Sequence, residues 1–249
     1  MCRHAAWLGT PQPLASLIQE PEHGLLRQSY APRLQRCGAV NADGFGMGWY
    51  DAARREPVRY RRCVPIWTDA NLPGLAAAAR SRCLLAAVRS ASPGMPIEES
   101  ATAPFTEGRW LLSHNGRVAR KAVRPLADGR EPESTCDSAW LAAAVFARLG
   151  TGVPMGDTLA EVVARAGADD PGARLNLLLT DGDAVAATAW NETLFLCWGE
   201  AATSRFTGEP LGEGVLLASE PLDDRPGWDA VPDRHLVVAA AGGVRILPL

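Results

Sequence analysis

The chain has 249 residues, of which 47% are apolar and 21% charged, with a formal net charge of −3. This length and apolar share are enough for one domain over 2–249 with a large core, and the balanced charge carries neither the basic footprint of a nucleic-acid binder nor a polyacidic tail. Lys121 is the only lysine among 25 basic residues, and the arginines are scattered along the chain, which we read as compositional bias and not as a binding face.

The N-terminus reads Met1-Cys2-Arg3-His4 and enters an apolar run over 2–8, taken as a strand. It lacks the long apolar segment of a secretory signal or a membrane span, so a cytoplasmic protein without a membrane partner is expected. Removal of the initiator Met, which a small second residue favours, would leave Cys2 with both a thiol and a free α-amine. Their ordinary pKa values, about 8.5 and about 7.7–8.0, are close enough for the amine to take and return the thiol proton near neutral pH. Taken alone, a cysteine at this position also fits a partly buried, inert thiol.

A short helix is expected over 13–18. Next comes Asn41-Ala42-Asp43-Gly44-Phe45-Gly46-Met47-Gly48-Trp49-Tyr50, whose alternate glycines lack the G-x-G-x-x-G spacing of a dinucleotide loop. Glycines entering a strand in this way point to close approach by another backbone or a ligand. Strands are read over 45–50 and 58–64, a helix over 72–80 and a strand over 83–89. Arg89 leaves that strand into the tight turn Ser90-Ala91-Ser92-Pro93-Gly94, where a guanidinium can hold a carboxylate in a forked pair. A plain surface arginine at a strand end is the alternative.

A strand over 109–114 runs into Ser113-His114-Asn115-Gly116. An Asn side-chain N–H and the next Gly N–H can converge on one oxyanion, although Asn-Gly is also a common hairpin turn. The apolar stripe Trp140, Leu141, Ala144, Val145 and Leu149 predicts a helix over 138–149, and a second helix is expected over 157–166. Asp137 opens the first of these, either as an acceptor for a substrate ammonium or as an N-cap; Cys136 beside it is expected to be a packed thiol. Strands then follow over 174–180, 184–190, 193–198, 214–219, 235–240 and 243–247, with turns at Asn115-Gly116, Asp181-Gly182 and Gly242-Gly243. The segments 93–105, 122–135 and 220–233 read as loops. Many strands and a few helices predict an α+β fold with a sheet-on-sheet core faced by helices.

The six cysteines at 2, 37, 63, 83, 136 and 197 include no C-x-x-C pair, and none of the four histidines sits at metal-ligand spacing with another. Free thiols, no metal and no cofactor are expected.

In this order, Cys2, the glycine-alternating segment, Arg89 with its turn, Asn115-Gly116 and Asp137 resemble the glutaminase domain of class II glutamine amidotransferases, in the N-terminal-nucleophile hydrolase superfamily. More narrowly, Met1-Cys2-Arg3-His4, Pro65-Ile66-Trp67-Thr68-Asp69, 87–96, Ala103-Pro104-Phe105, Ser113–Gly116, 175–182 and Ala218-Ser219-Glu220-Pro221-Leu222-Asp223 are similar to the γ-glutamyl amidohydrolases of the ergothioneine pathway. That resemblance spans nearly the whole chain. It implies a four-layer αββα sandwich of two mainly antiparallel sheets and hydrolysis of γ-glutamyl-hercynylcysteine sulfoxide to glutamate and hercynylcysteine sulfoxide through a glutamyl thioester. Position by position it implies Cys2 as nucleophile and base, Asn115 and Gly116 as the oxyanion site, Arg89 as the carboxylate clamp and Asp137 as the ammonium acceptor. Ser90 and Ser92 fall in the substrate-binding turn, and His114 falls within the Ser113–Gly116 signal. Trp67 and Trp49 are candidate faces for the leaving group's trimethylammonium. The other readings are a glutaminase subunit passing ammonia to a separate synthetase, and a non-catalytic sensor of γ-glutamyl compounds.

Overall fold

The computed structural model describes residues 2–36, 38, 40–200 and 212–249. The first half holds β1 (Arg3–Pro13), α1 (Ala15–Ile18), α2 (Leu25–Gln28), β2 (Phe45–Trp49), β3 (Val58–Arg62), α3 (Leu72–Ala78) and β4 (Arg80–Val88). The middle holds β5 (Phe105–Glu107), β6 (Trp110–Arg117), α4 (Arg120–Val123), α5 (Asp137–Leu149) and α6 (Met155–Asp169). The last third is β7 (Arg174–Thr180), β8 (Val185–Ala189), β9 (Phe195–Glu200), β10 (Glu213–Ala218), β11 (Trp228–Ala230), β12 (His235–Ala240) and β13 (Gly243–Pro248).

Two antiparallel sheets result, one in the order β11-β9-β10-β1-β4-β2-β3 and the other β13-β12-β8-β7-β6-β5. Successive strand side chains face opposite ways, so each sheet has two apolar faces to bury. In β1, Ala5 and Trp7 pack with Leu14, Leu17, Leu25 and Leu72 from the α1–α3 side, whereas Ala6 packs with Leu178, Val237 and Ala239 of the other sheet. In β7, Leu175, Leu177 and Leu179 meet Leu141, Val145, Leu159 and Val163 of α5 and α6. The layers are therefore αββα, as the resemblance implied, and each fully buried leucine contributes about 1.5–3 kcal/mol.

Several local expectations change. Asn115-Gly116 is not a turn: β6 runs on through it, pairing Asn115 with Asn176 and Gly116 with Leu175. A continuous ladder to β7 outweighs the turn preference of the dipeptide. β1 passes a bulge after Leu8 and reaches Pro13, so 13 belongs to a strand end, and Arg80 starts β4 after α3 stops at Ala78. The N-cap of α5 is Cys136, buried and accepting from the Ala139 N–H, with Asp137 as the first helical residue. β5 begins at the end of one expected loop and β11 lies within another; three-residue edge strands are too short to show alternation. No disulfide joins the described cysteines, and Cys37 lies outside the described residues.

The alternate glycines of β2 meet the close approach expected of them. A Cβ on Gly46 would run into the Ala103 carbonyl, and one on Gly48 would meet the Leu111 side chain. This lets the segment 101–105 lie directly over β2, beside the end of β4.

Candidate active site

Cys2 precedes β1, and the first β1 pair sets Arg3 opposite Val88 of β4. The half-buried thiol consequently reaches the turn after β4, where Sγ lies 3.8 Å from the Ser90 carbonyl oxygen. Cys2, Ala87–Arg89, Ala101–Ala103, Phe105, His114 and Ser138 line one cleft of about 290 Å³. Contributions thus come from the residue before β1, from β4 and its following turn, β6, α5 and the 101–105 segment.

Arg89 is buried, its N–H donating to Gly44 O (2.7 Å) and its carbonyl accepting from Asp43 N (3.0 Å). Asp43 Oδ2 also accepts from Ala91 N at 2.8 Å, so the Arg89–Ala91 backbone is held on both sides. One guanidinium nitrogen, Nη2, donates to Pro96 O (2.8 Å), while Nη1 is buried without a protein acceptor. A buried donor of this kind is costly unless a ligand satisfies it. Ser90 and Ser92 are half-buried in this turn, and the Ser92 carbonyl accepts from Met95 N.

From the opposite sheet, β6 presents Ser113 and Asn115 toward the first sheet, and His114 toward α5. Asn115 is fully buried; its Nδ2 stands 3.2 Å from Ser219 Oγ, and its Oδ1 has no donor. Gly116 is half-buried at the strand end, and any Cβ there would collide with the Arg174 carbonyl and His114 Nε2. His114 Nε2 lies 2.9 Å from Arg174 O, and Nδ1 lies 2.9 Å from Ser138 Oγ. A carbonyl only accepts, so Nε2 carries the proton and Nδ1 accepts from the serine hydroxyl. Asp137 is buried, and its oxygens accept from Val118 N (3.0 Å) and Ser138 N (2.9 Å), each oxygen retaining acceptor capacity.

Trp67 is not brought to the cleft: it is 44% exposed and packs edge-on against Tyr30 at 6.0 Å between ring centroids. Trp49 pairs within β2 and packs on the helix-side core. Among the described residues, the one grouping of His, Cys and acidic side chains able to hold a metal ion is Glu22, His23 and Asp224, none of which lines the cleft.

Several neighbours escaped the sequence reading. Arg3 is completely buried; its Nε donates to the Cys2 carbonyl (2.8 Å) and Nη2 lies 3.9 Å from the buried Glu192. Period-2 alternation after Cys2 could have placed His4 on the nucleophile's face, but nothing in the sequence pointed to Ser219 as the partner of His4, Ser138 as that of His114 or Glu192 as that of Arg3.

Burial pushes the His4 imidazole well below its ordinary range, with further lowering from Arg3 and His114; burial also lowers His114. Both rings therefore resist protonation in the fold more than they do in the unfolded chain. Below about pH 6.5 the unfolded chain takes up protons that the folded protein refuses, so stability present above that pH is lost on acidification. The loss is at most about 1.4 kcal/mol per pH unit for each histidine. Urea midpoints at pH 7.5 and 5.5 test this, and equal midpoints would contradict it.

Comparison with known proteins follows the same lines. A family model described as glutamine amidotransferases class-II matches residues 26–202. The γ-glutamyl-hercynylcysteine sulfoxide hydrolase of Mycolicibacterium smegmatis is 49% identical, covering 100% of both chains. The Mycobacterium tuberculosis protein of that name is 48% identical over 100% of this chain and 97% of the other. In fold, the chain is similar to the glutamine phosphoribosylpyrophosphate amidotransferase of B. subtilis, with a TM-score of 0.68 and 13% identity over 100% of this chain and 49% of that one.

Proposed function

The chain belongs to the class-II glutamine amidotransferase family, and on that premise we propose that it hydrolyses the γ-glutamyl amide of γ-glutamyl-hercynylcysteine sulfoxide through a thioester on Cys2. One observation carries this reading: the Cys2 thiol and the unpartnered Nη1 of Arg89 belong to residues lining the same cleft. Full-length similarity to two hydrolases of that substrate supports its choice.

In the proposed sequence Met1, which lies outside the described residues, is removed, and the exposed amine of Cys2 takes the thiol proton. The sulfur forms a bond to the γ-carbonyl carbon, and the carbonyl electron pair moves to oxygen, which Asn115 Nδ2 and the Gly116 N–H stabilise. Collapse restores the carbonyl and breaks the C–N bond; the leaving amine takes the proton held by the Cys2 ammonium. Water, deprotonated by the same amine, then cleaves the thioester to glutamate and the free thiol. Arg89 clamps the α-carboxylate and Asp137 accepts from the α-ammonium through its remaining lone pairs, while His114 and Ser138 wall the glutamyl end. The substrate is thus a small γ-glutamyl compound, with no nucleic acid or membrane involved. No helix among the described residues is long and apolar enough to cross a membrane, and we place the activity in the cytoplasm, in a single domain over 2–249.

Glutamate release should distinguish the conjugate from free glutamine by about 100-fold or more in kcat/KM, because the glutamyl contacts are shared and only the leaving group differs. Equal turnover of both, with ammonia as product, would favour a glutaminase serving a separate synthetase.

A further inference from the structure

Ser219 directly follows β10, yet it touches both sheets beside the cleft. Its N–H donates to the His4 carbonyl (2.9 Å) and its Oγ accepts from the His4 N–H (3.0 Å), so the backbone two residues after Cys2 is clasped twice. Its own carbonyl accepts from Thr193 Oγ1 at 2.8 Å, which fixes the clasp from the β9 side. A second tie, His4 Nδ1 to Ser113 Oγ at 3.0 Å, joins the same two sheets. With its oxygen already accepting from His4, the Ser219 hydroxyl still has one proton to place, and the group in reach is the Asn115 amide, 3.2 Å away. That amide has a buried Oδ1 without a donor, an arrangement that is costly to leave unmet.

An oxyanion needs N–H donors, and the two needs are met together by a half-turn of the amide about its Cβ–Cγ bond. We propose that Ser219 is a positioning residue for the oxyanion site, donating its hydroxyl proton to Asn115 Oδ1 so that Nδ2 is released toward the substrate oxygen. Because Ser219 also clasps His4, it sets the spacing between the nucleophile strand and the oxyanion donor across the two sheets. The inference rests on the thioester reading above.

The test is steady-state glutamate release from the γ-glutamyl conjugate by Ser219→Ala, Ser219→Cys and Ser219→Thr, alone and in an Asn115→Ala background. Ser219→Cys keeps the volume of the site with a weak donor, and so remains informative if Ser219→Ala proves unstable. The expected result is a kcat about 10–100-fold lower for the Ala and Cys variants, KM within about threefold, and recovery to within about threefold in Ser219→Thr. Once Asn115 is alanine, Ser219→Cys should cost no more than about twofold, since the two act as one unit. A kcat for Ser219→Cys within twofold of wild type, a change confined to KM, or an undiminished loss in the Asn115→Ala background would overturn the proposal. Intact-mass trapping on the wild-type enzyme separates the two levels: absence of any glutamyl adduct on Cys2 sinks the thioester reading itself, whatever the Ser219 variants do.

Discussion

Cys2→Ala is expected to lower turnover of the γ-glutamyl conjugate by at least about 10⁴-fold while leaving its dissociation constant within about threefold. The thiol supplies the bond-forming electron pair, and nucleophile removal in covalent hydrolases costs factors of this order or larger. Binding, in contrast, is assigned to Arg89, Asp137 and the walls of the cleft, whereas the hydrogen-bond partner of Sγ is the Ser90 carbonyl at 3.8 Å. Calorimetric titration of the variant with the conjugate measures the second quantity, and glutamate release measures the first. Residual activity above about 1% of wild type would exclude the thiol as nucleophile. Cys136, which precedes Asp137 in the chain, is no substitute. It is buried, caps α5 through the Ala139 N–H, and burial raises its pKa, which disfavours the thiolate.

Arg89→Ala should act on the other side of the ledger, raising KM by about 10²–10³-fold with a smaller change in kcat. Its Nη1 is buried without a protein partner, so a substrate carboxylate would complete a hydrogen-bonded charge pair away from water, where losing one member costs about 2–5 kcal/mol. Arg89→Lys retains the charge but not the fork and should fall between. The decisive comparison is a substrate analogue lacking the α-carboxylate. Wild type should discriminate strongly against it, whereas Arg89→Ala should treat both compounds nearly alike. Since Arg89 also donates to Pro96 O, a thermal melt of each variant keeps a folding defect from passing as a binding one. Discrimination that persists in Arg89→Ala would mean the carboxylate is held elsewhere.

The site was partly legible in the sequence because its members are unusual in their local setting. A cysteine directly after the initiator, an arginine leaving an apolar strand into a Ser/Pro/Gly turn, and Asn-Gly after an apolar run each carry a chemical suggestion. Their order along the chain carried the family resemblance. The readings that changed were those for which two local meanings competed. Asn115-Gly116 has the composition of a hairpin turn, yet pairing with β7 keeps it extended. Asp137 has the character of an N-cap, yet Cys136 takes that place and frees the carboxylate for Val118 and Ser138. Trp67 looked suited to a cationic leaving group, but it packs edge-on against Tyr30 outside the cleft lining.

Periodicity, composition and motif order by themselves determined the strand-rich α+β class, most strand positions and both long helices. Such features are local: alternation and helical stripes report which face a residue takes, and turn residues report where an element ends. What only the tertiary structure decided is the set of contacts between distant positions. The thiol meets a carbonyl 88 residues away, Asn115 meets a serine 104 residues away, and His4 meets that same serine 215 residues away. Those meetings depend on strand order and register across two sheets, quantities that a one-residue slip would reverse and that no single segment encodes.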